Sequence, residues 1–156
     1  MKLSEVLTES AVLLDPQAGD KWQLIELLTD SLVASGQIEA DSRDPVHEAL
    51  LGRERSMSTG MEHGLAIPHK SEDQVDKTAV ALGICRAGID FEAIDDRPTH
   101  LVILLVNPSN RTKAHIRTLA EIARLLSNAD LRTALHEAPS AQVALEKIRE
   151  AEAAVT

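Results

Sequence analysis

The run "LVILLVNPSNRTKAHIRTLAEIARLL", residues 101–126, decides the fold class. Leu101–Val106 is apolar at every position, the signature of a strand buried on both faces rather than one with a wet side. Asn107-Pro108-Ser109-Asn110 then breaks the chain. From Thr112 the period changes to that of a helix, with Ile116, Leu119, Ile122, Ala123 and Leu126 as its expected inward stripe. A fully covered strand followed by an amphipathic helix points to an α/β fold.

Working outward, "AVLLD" (11–15) reads as a short strand that ends at Pro16. Asp20 is a suitable N-cap for a helix carrying Trp22, Ile25, Leu28 and Leu32 on one side, and Gly36 stands where a C′ glycine would end it. A second helix is expected to open at Asp44-Pro45 with proline in its first turn. Val46, Leu50 and Leu51 face inward there, and Arg53 and Glu54 fall on its last turns. "GLAIPH" (64–69) is a brief strand stopped by Pro68, with His69 at its end, and "KTAVALGICR" (77–86) is another. A helix around "DLRTALHEA" (130–138) ends before Pro139, and Ser140 caps a last helix. The expected architecture is a single domain, residues 1–156, with a mixed β-sheet flanked by helices on both faces. Its core spans about residues 3–150, and "AEAAVT" (151–156) frays.

Composition removes several function classes. The formal net charge is −9, and Trp22 and Phe91 are the only aromatic side chains besides histidine. Nucleic-acid binding needs a basic surface and favours stacking aromatics, so no nucleic-acid partner is expected. Cys85 is the single cysteine, which rules out a disulfide framework and a CxxC zinc pattern; inside an apolar strand it reads as a buried structural thiol. "MKLSEVLTES" lacks the apolar core of a signal peptide, and no window reaches the ~18 apolar residues of a membrane span. A cytoplasmic protein without direct membrane insertion is expected.

Chemistry concentrates in "STGMEHGLAIPHK" (58–70). His69 follows Pro68, whose fixed φ stiffens the approach, and His115 lies one turn into the later helix. His63 reads as a turn residue. HExxH is absent and the histidine spacing matches no local zinc pattern, so neither a metal nor a cofactor is expected. GxSxG and GxxxxGK[ST] are absent too. Phosphoryl transfer through a histidine needs a neutral imidazole nitrogen, donors for the phosphoryl oxygens and close backbone approach. His69, His115, Arg53 and the Thr59-Gly60 turn supply these parts. On the residues alone, a solvated strand-end histidine stays open beside the nucleophile.

"LLGRERSMSTGMEHGLAIPH", "GIDFEAIDDRPTHLVILLVNP" and "TKAHIRTLAEIARLL" occur in order between about residues 50 and 127. Together they resemble the fructose/mannitol-type EIIA domains of the bacterial phosphoenolpyruvate-dependent phosphotransferase system. The resemblance implies a phosphotransferase in which His69 is phosphorylated on Nε2, with phospho-HPr as donor. It implies an EIIB cysteine or a regulatory target protein as acceptor. His115 would then stabilise the phosphoryl group, Arg53 would help neutralise it, and Thr59 would donate a hydrogen bond. Two positions depart from the family pattern: Glu62 replaces a usual glycine, placing a carboxylate near the site, and Lys70 replaces a small residue and could offset it. "EHG" and "TKAH" look closer to the nitrogen-regulatory subgroup than to the sugar-specific uptake components, which form the alternative. A non-catalytic binding module on the same fold is a third reading, against which His69, His115 and Arg53 argue.

Overall fold

Leu101–Val106 occupies the middle of a five-stranded mixed sheet, and each of its six side chains is buried. A computed structural model describes residues 2–155. The strands are β1 (Val12–Leu14), β2 (Leu65–Ala66), β3 (His69–Glu72), β4 (Ala79–Ile89) and β5 (Thr99–Pro108), and the helices are α1 (Leu3–Val6), α2 (Lys21–Ala34), α3 (Arg43–Ser56), α4 (Thr112–Leu126), α5 (Ala129–Glu137) and α6 (Ala141–Val155). The sheet order is β1-β4-β5-β2, with β3 also on β5. β4 and β5 are antiparallel, with Leu82 opposite Ile103, whereas β1 runs parallel to β4 and β2 and β3 run parallel to β5.

Both parities of β4 from Ala79 to Ile84 are buried, which requires cover on both faces of the sheet. Gly83 has no side chain where Leu24 and Leu28 of α2 press on the strand. α5 and α6 pack against β4 and β1. Arg86 holds the end of α5 by donating from Nε to the His136 carbonyl (2.9 Å) and from a terminal nitrogen to that of Ala138.

The predicted punctuation of α2 is present in detail. Asp20 Oδ1 accepts from Gln23 N at 2.9 Å, and Gly36, at φ 75°, ends the helix. Gly36 N–H donates to Val33 O and Gln37 N–H to Leu32 O, the paired bonds of a Schellman ending. α3 starts slightly earlier than expected, at Arg43, because a 3-10 turn at Ala40–Ser42 leads into it. Arg43 ties it to α2 through Glu26 (2.9 Å) and Asp30 (2.8 Å). α1 has no counterpart in the sequence reading. α6 stays helical to Val155, past the point where fraying is expected, and Ser4 donates from N (3.3 Å) and from Oγ to the Glu152 carboxylate.

Two expectations need correction where they bear on the site. Ile116 is 61% exposed rather than buried. The buried side of α4 runs through His115, Thr118, Ile122 and Leu126, because polar residues hold the inward positions of its first turns. Thr118 satisfies its hydroxyl by donating to the Ala114 carbonyl at 2.9 Å. His69 does not end the strand before Pro68 but begins the next one. β2 and β3 nevertheless keep one register against β5, Leu65 opposite Leu101 and His69 opposite Leu105. Pro68 interrupts them for want of an N–H, yet its carbonyl still accepts from Leu105 N at 2.9 Å. Among the described residues no helix is long and apolar enough to cross a membrane.

Candidate functional site

His69 and His115 come from β3 and α4, and the fold brings their rings to 5.5 Å between centroids with a tilt of 44°. His69 Nδ1 lies 2.7 Å from the Ile67 carbonyl oxygen. A carbonyl can only accept, so Nδ1 carries the hydrogen and Nε2 keeps the lone pair. Burial is the largest influence on this imidazole and lowers its pKa; the Ile67 carbonyl opposes that, Arg53 adds to it, and Glu54 opposes again. His115 is 8% exposed, and its pKa is lowered first by burial and then by His69. Its Nδ1 is buried without a hydrogen-bond partner. The result is two neutral rings side by side, one with a defined nucleophilic nitrogen.

The floor of the cleft is the folded-back segment 58–67. Ile67 N donates to Thr59 O (3.3 Å), Met61 N donates to Leu65 O (2.7 Å), and Gly60 bridges Ala66. A Cβ on Gly60 would stand 2.8 Å from both Ala93 Cα and the Phe91 carbonyl oxygen, so the close approach requires glycine. At the tip, His63 (φ 66°) and Gly64 (φ 73°) are both left-handed, and His63 is a turn residue exposed to solvent.

Arg53, at the end of α3, lines the same cleft as His69 and Thr59, and its Nη1 donates to the Met57 carbonyl at 2.8 Å. Thr59 is there too, but its hydroxyl hydrogen goes to Glu54 Oε1 (2.6 Å) while its backbone N–H goes to Glu54 Oε2 (2.9 Å). In this structure both Thr59 donors are engaged by Glu54 and hold the turn. Glu62 points outward beside His63 (3.8 Å) with its side chain 64% exposed, and Lys70 projects from the face of β3 opposite His69. Neither departure from the family pattern reaches the ring pair.

Lys21 escaped the sequence reading. It is buried in the first turn of α2, 3.1 Å from Glu54 Oε2 and 3.7 Å from Glu92 Oε1. The signal was available, since Lys21 stands in line with Leu24, Ile25 and Leu28 on the apolar stripe. Cys85 is a free, buried thiol pushed up to about 11 by burial, with Asp15 adding to the shift. Among the described residues no group of three or more His, Cys, Asp or Glu could hold a metal ion.

A family model described as "Phosphoenolpyruvate-dependent sugar phosphotransferase system, EIIA 2" matches residues 5–151. The chain is 34% identical to the PTS system fructose-specific EIIA component of Haloferax volcanii, over 95% of each chain. It is 31% identical to the fructose-specific EIIABC component of Bacillus subtilis over 96% of its own length, but spans only 23% of that longer protein. Nitrogen Regulatory Protein IIA-Ntr from Neisseria meningitidis superposes with a TM-score of 0.83 at 30% identity, covering 94% of this chain and 98% of that one. The fold is shared with enzyme IIA of the mannitol system of Escherichia coli, solved in complex with phosphorylated enzyme IIB (TM-score 0.77, 23% identity, covering 93% and 99%).

Proposed function

This chain belongs to the EIIA 2 family of the phosphoenolpyruvate-dependent sugar phosphotransferase system, a family of phosphocarriers, and from that premise we propose that His69 Nε2 is the phosphoryl acceptor. The observation that carries the proposal is the hydrogen bond between His69 Nδ1 and the Ile67 carbonyl, which leaves Nε2 as the lone-pair nitrogen in the cleft. The donor is HPr phosphorylated on histidine. The P–N bond of the donor breaks as a P–N bond to Nε2 forms, so the exchange is nearly balanced and needs no metal ion. The protein has only to align the two imidazoles and offset the charge on the phosphoryl oxygens. Arg53 brings a guanidinium to the cleft and His115 a neighbouring imidazole for that purpose.

The large hydrophobic side chains exposed among the described residues are Met57, Ile94 and Ile116, and each belongs to the cleft or adjoins in the chain a residue of the cleft or of the ring pair. Ile94 lines it, the Met57 carbonyl holds Arg53, and Ile116 follows His115 in α4. An apolar collar around a nucleophile suits a macromolecular donor and acceptor. The acceptor is the cysteine of an EIIB domain, the kind of partner with which the mannitol-system enzyme IIA was solved, or a protein whose activity the phosphate regulates. The chain is like both the fructose-specific EIIA component and the nitrogen regulatory protein; "EHG" and "TKAH" favour the regulatory output, and all of this chemistry runs in the cytoplasm.

Incubation with phosphorylated HPr tests the assignment. Acid-labile phosphate on His69 is the expected result. Absence of label on the wild-type chain with any HPr donor would sink it. Passage of the label from His69 to a separate EIIB domain would move the output from regulation to sugar uptake.

A further inference from the structure

Behind the cleft lies an ion pair that the transfer step does not itself require. Lys21 is 3% exposed and Glu54 2% exposed, and Lys21 Nζ meets Glu54 Oε2 at 3.1 Å. Lys21 also sits 4.8 Å from the Trp22 ring centroid and 5.7 Å from that of Phe91. Its place is costly twice over: an ammonium is taken out of water, and it stands in the first turn of α2, where the helix dipole disfavours a cation. A buried ion pair is poor evidence of a stabilising device, because apolar side chains of similar size commonly serve as well or better. What the pair does is local. Glu54 uses one oxygen for Thr59 Oγ1 and the other for both Thr59 N and Lys21. Thr59 O in turn accepts from Ile67 N, and the Ile67 carbonyl orients His69. The chain of contacts thus runs from Lys21 through Glu54, Thr59 and Ile67 to the reacting ring.

We propose that Lys21 is a positioning residue for phosphoryl transfer at His69: its ammonium neutralises Glu54, allowing that carboxylate to grip the Thr59-Gly60 turn beside an incoming phosphoryl group. The proposal rests on His69 being the acceptor. The charged and titratable groups facing His69 are Arg53 and Glu54 from α3 and His115 from α4, with Lys21 acting through Glu54 and Glu92, an exposed second partner of the ammonium, through Lys21. Stripped of its counter-ion, Glu54 would both repel the phosphoryl dianion and favour the protonated, non-nucleophilic form of His69.

The test follows phosphoryl uptake from phosphorylated HPr alongside the NMR titration of the His69 ring. Lys21→Met is expected to slow uptake ~10–100-fold at saturating donor and to move the His69 titration to higher pH. Lys21→Met with Glu54→Gln removes both charges and avoids stranding either one, so it keeps the question open to measurement should Lys21→Met fail to fold. This double variant is expected to titrate His69 at lower pH than wild type and to remain slow, because the grip on Thr59 is weakened. Lys21→Arg keeps the charge and should stay within about threefold of wild type. Lys21→Met or the double variant folding normally, with uptake within about twofold of wild type and an unmoved His69 titration, would overturn the proposal. Wild type that takes up no phosphate would instead sink the assignment of His69, and this proposal with it.

Discussion

The His69 and His115 rings stand 5.5 Å apart, one on an edge strand and one on the helix that follows the central strand. Neither belongs to the other's local structure, so their meeting is a product of the sheet order. Replacing His69 by alanine removes the ring whose oriented lone pair lies in the cleft, and uptake from phospho-HPr should fall by at least ~10³-fold. Phosphate labelling checks this, with circular dichroism to show that the variant is folded.

His115→Ala and Arg53→Ala should leave the acceptor in place and weaken the stabilisation of the phosphoryl oxygens. Each should cost roughly 2–4 kcal/mol in the transfer barrier, or about 30- to 10³-fold in rate. Single-turnover transfer at saturating donor measures it. An unchanged rate in both would count against a phosphoryl-stabilising role for either residue.

Burial lowers the pKa of both rings below the ordinary 6.5. Uptake should therefore persist below pH 6.5 and fail only when His69 itself protonates. The sign for stability follows by linkage. Above 6.5 both rings are neutral in folded and unfolded chains and contribute no pH dependence. As pH falls from 6.5 toward the lowered native values, the unfolded chain binds protons that the native chain refuses, and stability is lost. Urea midpoints at about pH 7.5 and about pH 5.5 should differ less in a His69→Gln/His115→Gln chain than in wild type.

Gly60 has a backbone on each side of where a Cβ would point, at 2.8 Å from Ala93 Cα and from Phe91 O. Gly60→Ala should lower stability by ~1–3 kcal/mol, read as a drop in the urea midpoint, and should slow uptake as well because the floor of the cleft must shift.

Ile94 and Ile116 are 75% and 61% exposed, so Ile94→Asp and Ile116→Asp should change stability by no more than ~0.5 kcal/mol. Their effect belongs to docking: KM for phospho-HPr should rise roughly tenfold while kcat changes little. A fall in kcat with unchanged KM would count against the collar as a docking surface.

Much of the architecture was legible because its signals are local. Leu101–Val106 announced its burial by composition, and Asp20 and Gly36 marked the ends of α2 with side-chain and φ requirements that few residues meet. His69, His115 and Arg53 were legible as a group through the family resemblance that three ordered blocks carry. What escaped lies where function overrides pattern. The α4 stripe misleads at Ile116, whose apolar side chain is exposed, whereas His115 and Thr118 take the inward places. The helical stripe marks Lys21 as an inward position, but its partner, Glu54, is 33 residues away and no periodicity points to it. The role of Thr59 turned on the direction of one hydroxyl hydrogen, which depends on that same distant contact.

The shared register of β2 and β3 has a consequence for how this motif can vary. With Leu65 opposite Leu101 and His69 opposite Leu105, the four residues from Leu65 to Pro68 act as a ruler. Take one out, and the pleat delivers Lys70 to the cleft and sends His69 to the far side of the sheet. Substitutions along "LAIP" are open to drift within the limits of packing, but its length is not: a single-codon deletion there would silence the protein while leaving nearly all of its chemistry encoded.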